Sequence, residues 1–256
     1  MRVLLTNDDG AFASGLITLA RVLSEAGHRV YVCAPDRERS AASHSVTLVK
    51  PLHAKPVDIP GAEMAWAVDG TPADCARLGL YLTREAGVDL AISGINRGMN
   101  QGGATVYSGT VQAALEASMC GVQALAVSLC TTDVCGEDHN DYTASARAAL
   151  RVAAWQLEHP LPRGAILSLN VPPLPYGELR GIRPATLAPI FLEEAVYEEV
   201  SDEQGPAYLY RYDASLPLDD PEYDMYKSAR GYATLTRLAW DMRLNADDAD
   251  LGGIGL

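Results

Sequence analysis

Two adjacent aspartates, Asp8 and Asp9, stand directly after the first apolar run of the chain, residues 2–6 (RVLLT). Neighbouring carboxylates at the end of a buried strand repel each other in a medium of reduced dielectric unless a cation compensates them. Oxygen ligands from carboxylates, hydroxyls and amides suit Mg²⁺ or Mn²⁺, whereas zinc and copper prefer His and Cys. The pair therefore indicates a site for a hard divalent cation; the simpler alternative is that one aspartate caps the following helix.

Two further polar segments follow apolar runs in the same way. Residues 35–40 (PDRERS) come after the run at 30–34, and residues 93–98 (SGINRG) come at the end of the run at 88–93. In an open α/β sheet, ligands bind at the carboxyl ends of the strands. Three loops that are distant in sequence are thus expected to meet at one edge of a sheet.

The alternation of strands and helices that must position these loops predicts an α/β protein with a Rossmann-like, doubly wound, mainly parallel sheet. The first 36 residues have the pattern strand, helix, strand, with Gly27 ending the helix. Thr71 and Pro72 begin a second helix, with Asp74 completing a capping box. The pattern then predicts a strand at 88–93, a Gly-rich loop at 94–103, a helix at 110–120, a strand at 124–129, a polar loop at 131–141, a helix at 142–158 and a strand at 165–171.

The character of the chain changes after this core, which we predict to span residues 1–174. Between 175 and 232 tyrosines are frequent and alternate with other residues, as in YLYRY at 208–212, which indicates an extended antiparallel arm. Residues 233–245 are predicted to return to the core as a strand and its end. Residues 246–256 are predicted to form a flexible tail.

Composition excludes several classes of function. A formal net charge of -13 and a pI near 4.7 argue against a polynucleotide partner, which needs a basic surface. No long apolar segment and no signal-peptide layout are present, so we expect no membrane association and a cytoplasmic location. The cysteines are odd in number and lack CxxC spacing, which disfavours a zinc site or a disulfide framework.

Several motifs in order resemble the SurE family, the stationary-phase survival proteins, which are metal-dependent nucleotidases. They are VLLTNDDG, APDRERSAASHSVTL, VDGTPADC, ISGINRGMNQGG, VYSGTVQAALEA and GYATLTRL, and the resemblance covers nearly the whole chain. Several motifs in the right order are far more specific than a lone glycine motif. The resemblance implies a 5′-nucleotidase with broad acid phosphatase activity on nucleoside monophosphates. The family usually ends the last motif as GYVSITPL, so the pocket wall formed by Thr236, Arg237 and Leu238 is expected to differ.

The resemblance also implies one divalent cation, Mg²⁺ or Mn²⁺, in each subunit, and no other cofactor. Its ligands would be Asp8, Asp9, Ser40 and Asn96, and the phosphate would be surrounded by Asn7, Gly10, Ser43, His44 and Ser108. Asp8, Asp9, Asn96, Ser108 and His44 are accordingly the predicted catalytic residues. A homodimer whose C-terminal arms exchange is implied as well, with a tetramer as the alternative. An arm folded back on its own core is the rival interpretation.

Individual residues keep alternative roles. His44 is a general acid, a phosphate donor or a satisfied loop histidine. Ser108 is typical of a helix N-cap, while the amides of Gly109 and Thr110 behind it would donate to phosphate. Arg97 either binds the anion or balances nearby acids, and amides of the loop that begins at Gly94 are predicted to line the phosphate pocket.

Three competing interpretations are less favoured. A phosphoaspartyl mechanism at Asp8 would need a second aspartate at position 10, which is Gly10. The acidic loop at 133–141 resembles a second metal cluster but has the composition of a solvated loop. A nucleotide-binding or sensor module without turnover is the rival from another class, although the phosphate-loop motif GxxxxGK[ST] is absent.

Overall fold

Strands and helices alternate through most of the chain in the computed structural model, which describes residues 1–189, 196–202, 205–211 and 219–240. The strands are β1 (Arg2–Thr6), β2 (Arg29–Pro35), β3 (Ala54–Pro56), β4 (Met64–Val68), β5 (Leu90–Arg97), β6 (Gln123–Leu129), β7 (Ala165–Val171), β8 (Ile182–Pro184), β9 (Val196–Asp202), β10 (Gly205–Arg211) and β11 (Ala233–Ala239). The α-helices are α1 (Ser14–Glu25), α2 (Pro72–Leu82), α3 (Gly109–Met119), α4 (Thr143–Glu158) and α5 (Asp224–Ser228). Short 3₁₀ turns occur at Gly102–Val106 and Tyr176–Glu178.

The main sheet has nine strands in the order β3-β4-β2-β1-β5-β6-β7-β11-β8. All neighbours from β4 to β7 are parallel, while β3 and β11 each run antiparallel to one neighbour. The chain winds outward from β1 to β4 on one side and from β5 to β7 on the other. This confirms the predicted Rossmann-like, doubly wound architecture, and the order of strands switches between β1 and β5, where such folds bind ligands.

Helices cover both faces of this sheet because its central strands are apolar on both sides. In β1, Val3 and Leu5 pack with α1 and α4, whereas Leu4 packs with α2 and α3 on the opposite face. Successive side chains of a strand point to opposite faces, so a strand that is buried on both needs an unbroken apolar run. The run RVLLT meets that requirement, since Val3, Leu4 and Leu5 are fully buried.

The loop predicted to start at Gly94 starts later than expected, because β5 continues to Arg97. The pairing of β5 with β6 shifts register between Ser93 and Asn96, so a bulge lets the strand continue past the glycine. Gly94 has a φ of 141°, and a Cβ atom there would lie 2.3 Å from the carbonyl oxygen of Val127. Only glycine fits this position.

The C-terminal stretch divides between the main sheet and a separate hairpin. Strands β9 and β10 form an antiparallel two-stranded sheet of their own, which confirms the antiparallel element predicted from the alternating tyrosines. Strand β8 and helix α5 also belong to the stretch 175–232, and β8 pairs with β11 at the edge of the main sheet. Residues 241–245 and the predicted tail at 246–256 lie outside the described residues. Within the described ranges, no helix has both the length and the apolar character needed to cross a membrane.

Candidate metal and phosphate site

The turn after β1 is closed by hydrogen bonds of Asn7, and the two aspartates that follow Asn7 lie within this turn. The Asn7 side chain accepts a hydrogen bond from the Gly10 amide at 3.2 Å and donates one to the Gly10 carbonyl at 2.9 Å. Gly10 has a φ of 108°, a conformation that favours glycine, and its backbone packs against Arg37. Asn7 is fully buried. Asn7 and Gly10, both predicted to surround the phosphate, therefore lie in this turn and bind each other.

Asp8 is buried against the amino-terminal end of α3. The Thr110 hydroxyl donates to Asp8 Oδ1 at 2.5 Å, and the Thr110 amide donates to Asp8 Oδ2 at 3.2 Å. Burial raises the pKa of the Asp8 carboxyl, and these hydrogen bonds oppose that rise. The positive end of the helix dipole acts in the same direction as the hydrogen bonds. Thr110 was predicted to contact substrate, but here both of its donors bind Asp8.

Asp9 faces the cleft described below, and the pKa of its carboxyl is raised like that of Asp8. Its Oδ2 accepts the amide of Arg97 at 3.1 Å, which joins the end of β5 to the turn after β1. Burial, and then repulsion from Asp8, raise the pKa of Asp9 to about 7, and Glu38 and Asp138 add to the rise. A bound cation would stabilise two buried carboxylates that repel each other in this way.

Asn96 and Ser40 supply the neutral oxygens of the predicted metal site. The Asn96 amide nitrogen donates to the Gly98 carbonyl at 2.9 Å, which leaves Asn96 Oδ1 as an acceptor 3.3 Å from the Thr110 hydroxyl oxygen. Ser40 lines the same cleft as Asp9, and its hydroxyl donates to Glu38 at 2.7 Å. The four predicted ligands thus come from three strand ends and present oxygen atoms only. Such donors fit Mg²⁺ or Mn²⁺.

No group of three or more His, Cys, Asp and Glu side chains that could hold a metal occurs among the described residues. The predicted set does not depend on such a group, since it consists of two carboxylates, one hydroxyl and one amide. The acidic loop at 133–141, whose reading as a second metal cluster was disfavoured, likewise forms no cluster of this kind within the described ranges.

A cleft of about 460 Å³ opens beside Asp9. Its walls are Asp9, Phe12, Ala13, Ser14, Glu38, Ser40, Arg97, Val134, Asp138 and Tyr142. A volume of this size lies in the range of about 300–1,000 Å³ that is usual for small-molecule sites. Sequence reasoning had left Phe12, Glu38, Val134, Asp138 and Tyr142 out of the site.

The start of α3 is packed against Asp8. Ser108 is the N-cap, because its hydroxyl accepts the amide of Val111 at 3.0 Å. A Cβ atom on Gly109 would lie 2.8 Å from Asp8 Oδ2, so glycine permits this close approach. The Gly109 amide stands in the first turn, where a helix provides no acceptor of its own. The helix end therefore brings a donor and a positive dipole next to Asp8.

The loop that carries Ser40 is tied down by the residues that follow it. Ser43 donates through its amide to the Tyr107 carbonyl at 3.2 Å and through its hydroxyl to the Val106 carbonyl at 2.9 Å. Thr47 binds Asp74, the residue that also completes the predicted capping box of α2. The hydroxyl and amide of Ser43 are therefore engaged within the protein.

His44 also anchors this loop, and it binds a glutamate that does not line the cleft. Its Nε2 lies 2.8 Å from Oε2 of Glu116 on α3, a side chain that is only 2% exposed and that also accepts from Arg77 Nε at 2.7 Å. His44 is not among the residues that line the cleft. Of the three roles open to it, the geometry favours the satisfied loop histidine over the predicted catalytic role.

Arg97 also differs from the prediction that it contacts the substrate anion. Its guanidinium donates to the carbonyl oxygens of Asp133 (2.7 Å), Gly136 (2.9 Å), Cys135 (3.1 Å) and Glu137 (3.2 Å). The planar fork of donors is used on the loop at 133–138, so it is not directed at a phosphate. No local signal in the sequence pairs Arg97 with this loop, because the partners are more than thirty residues away.

The chain is similar to known proteins along most of its length. The family model described as "Survival protein SurE" matches residues 3–192. The chain is 39% identical to a protein of Geotalea daltonii named 5′-nucleotidase SurE, over 94% of each chain. It is 38% identical to a protein of Synechococcus sp. with the same name, over 100% of this chain and 98% of the other. The crystal structure of the SurE protein from Aquifex aeolicus superposes with a TM-score of 0.80, at 31% identity and 95% coverage of both chains.

Proposed function

The chain belongs to the SurE family, and we propose that it is a metal-dependent phosphatase that hydrolyses nucleoside 5′-monophosphates to nucleosides and phosphate. The relatives named 5′-nucleotidase SurE support this activity, since they match nearly the full length of the chain. One observation of the structure carries the proposal. At the switch point of the sheet, Asp8 binds Thr110 at the start of α3, and the Thr110 hydroxyl also lies 3.3 Å from Asn96 Oδ1. Asp9, next to Asp8, lines an open cleft.

Asp8, Asp9, Ser40 and Asn96 would hold one divalent cation, Mg²⁺ or Mn²⁺. When bound, the cation supplies Lewis-acid stabilisation of phosphoryl oxygens and lowers the pKa of a water molecule. Burial and the neighbouring Asp8 carboxylate, which together raise the pKa of Asp9, support this assignment, because a bound cation would stabilise the two buried charges.

The residues of the chain itself prepare the site for a phosphate ester. Thr110 fixes the orientation of the Asp8 carboxylate through two hydrogen bonds, so this carboxylate does not reorganise during the reaction. The Gly109 amide and the dipole of α3 favour the negative charge of the phosphoryl group at the amino end of the helix. Glu38 accepts a hydrogen bond from the Ser40 hydroxyl, which leaves the lone pairs of the Ser40 oxygen available to a cation.

We further propose that two subunits exchange the arm that contains β9 and β10, with a tetramer as the alternative assembly. The hairpin pairs with no strand of the main sheet in the described part of the chain. It exposes large apolar surface at Tyr208 (66%) and Leu209 (43%). An isolated two-stranded hairpin is only marginally stable in water, so a partner surface would stabilise it.

Phosphate release from AMP tests the activity directly. The protein, stripped of metal by a chelator, is expected to be inactive and to regain turnover when Mn²⁺ or Mg²⁺ is added. Asp8→Asn and Asp9→Asn should lower kcat/KM by about 100-fold or more, because each removes a ligand charge that the site depends on. Asp69→Asn is the control, since Asp69 pairs with His53 outside the cleft.

Two results would contradict the proposal. Binding of AMP without phosphate release under any cation would identify a binding or sensor module. Near-normal, metal-dependent turnover in either Asp8→Asn or Asp9→Asn would show that the site lies elsewhere.

A further inference from the structure

The guanidinium of Arg97 anchors the loop at 133–138 through several hydrogen bonds. Besides the four carbonyl oxygens named above, its Nη2 lies 3.2 Å from a carboxylate oxygen of Asp133, and its Nε lies 3.7 Å from one of Asp138. The side chain is 14% exposed, so these contacts form under partial exclusion of water. A charged donor fork shared among several loop carbonyls restricts the loop at several points at once.

The loop at 133–138, which Arg97 anchors, forms one wall of the cleft. It contributes Val134 and Asp138, and Asp138 is held in turn by the Tyr142 hydroxyl at 2.9 Å. Val134 lies close to the end of β5, since a Cβ atom on Gly98 would stand 3.1 Å from it. The position of this wall is therefore set by contacts to β5 and to the start of α4.

The same cleft contains two exposed apolar side chains among its carboxylates. Phe12, in the turn between β1 and α1, is 60% exposed, and Val134 is 50% exposed. A phosphate binds through charge and hydrogen bonds and gains nothing from such groups. A flat, partly apolar ring does gain from them, because it can stack on the aromatic face of Phe12 and bury apolar surface against Val134.

We propose that Arg97 is a positioning residue that holds the loop at 133–138 as a wall of the cleft, where Val134 and Phe12 receive the nucleoside part of the substrate. The inference rests on the proposed phosphatase function and names the part of the cleft that recognises the organic group. The Arg97 amide binds Asp9 while its side chain binds the loop, so one residue connects the phosphate end of the cleft to the nucleoside end.

A comparison of two esters separates this role from a phosphate contact. AMP carries a nucleoside, whereas glycerol 2-phosphate presents the same phosphate on a small, polar alcohol. In Arg97→Met, which keeps the apolar stem but loses the donors, kcat/KM for AMP is expected to fall about ten-fold, mainly through KM. The value for glycerol 2-phosphate should change by less than about two-fold.

Two further variants complete the experiment. Phe12→Ala removes the other exposed apolar side chain of the cleft and leaves the residues of the loop at 133–138 unchanged, and it should show the same selective loss for AMP. It also keeps the test decisive if Arg97→Met fails to fold. Arg163→Met is the matched control. Arg163 also donates to a backbone carbonyl, that of Met119, but it precedes β7 and so lies at the amino ends of the parallel strands, away from the cleft. Its kinetics with both esters should equal those of the wild type.

Hydrogen exchange provides a readout that is independent of activity. The amides of residues 131–141 should exchange faster in Arg97→Met, while the rest of the chain keeps its protection. Equal losses for both esters, together with weaker inhibition by inorganic phosphate, would mean that Arg97 binds phosphate and would overturn the inference. Unchanged kinetics for AMP in either Arg97→Met or Phe12→Ala would overturn it too. Wild-type protein that hydrolyses neither ester would refute the proposed function itself.

Discussion

Replacing Asp9 by asparagine is expected to stabilise the metal-free protein, and the gain should increase with pH. Burial and the neighbouring Asp8 raise the pKa of Asp9 from 3.8 to about 7. An acid whose pKa is higher in the folded state binds more protons there, so its contribution to the free energy of unfolding decreases as pH rises between the two values. The window therefore runs from 3.8 to about 7.

The size of the effect follows from the width of this window. At about 1.4 kcal/mol for each pKa unit, the cost of ionising Asp9 should grow by about 2 kcal/mol between about pH 5.5 and about pH 8. Asparagine removes that cost because it carries no charge, and its oxygen can still accept the Arg97 amide that Asp9 accepts at 3.1 Å. The variant should therefore gain about 2 kcal/mol over the wild type across this pH interval.

Urea unfolding of both proteins in the presence of a chelator, at the two pH values, measures this difference. Asp89→Asn is a control of opposite sign: hydrogen bonds from Arg2 lower the pKa of Asp89, so its loss should destabilise the protein at both pH values. Saturating Mn²⁺ should reverse the order of Asp9→Asn and wild type, because only the wild type retains the full ligand set. A difference between Asp9→Asn and wild type that stays constant with pH would refute the reasoning.

Three further predictions concern the site, the substrate and the assembly. Thr110→Val removes the hydroxyl that binds Asp8 and should weaken Mn²⁺ binding by about 10–100-fold in a metal titration, whereas Thr105→Val, whose hydroxyl binds the Gly102 carbonyl, should not. AMP should be hydrolysed faster than ADP or ATP at matched metal, since a net charge of -13 disfavours highly charged ligands; a preference for ATP would contradict this. Deleting the hairpin, from about Val196 to Tyr212, should reduce the mass measured by light scattering, and an unchanged mass, or a monomeric parent, would exclude arm exchange.

The local pattern of residues was sufficient to predict the architecture and the location of the acids. The apolar run at 2–6 gives a strand that is buried on both faces, and the capping box of Thr71 and Asp74 begins α2 as expected. Asp8 and Asp9 follow β1 directly, and the strand order places them at the switch point. These features depend on neighbours in sequence or on the rules of parallel sheets, which a single sequence contains.

The sequence pattern could not predict which groups the polar side chains bind in the folded protein. Thr110 binds Asp8 at a separation of 102 residues, His44 binds Glu116 at 72, and Arg97 binds the carbonyl of Asp133 at 36. Each side chain can donate to phosphate, so Thr110 and Arg97 were predicted as possible substrate contacts, and three roles were left open for His44. A donor binds whichever acceptor the folded chain brings nearest, and no periodicity records that choice.

The sequence by itself determined the α/β fold, the acidic strand end and the family to which the chain belongs. The tertiary structure alone decided that β5 continues through a bulge to Arg97, that the loop at 133–138 becomes a wall of the cleft, and that the pKa of Asp9 rises to about 7. The physical reason is that propensity and capping act between neighbours along the chain. Desolvation and the competition among donors depend on which distant segments exclude water from the same space.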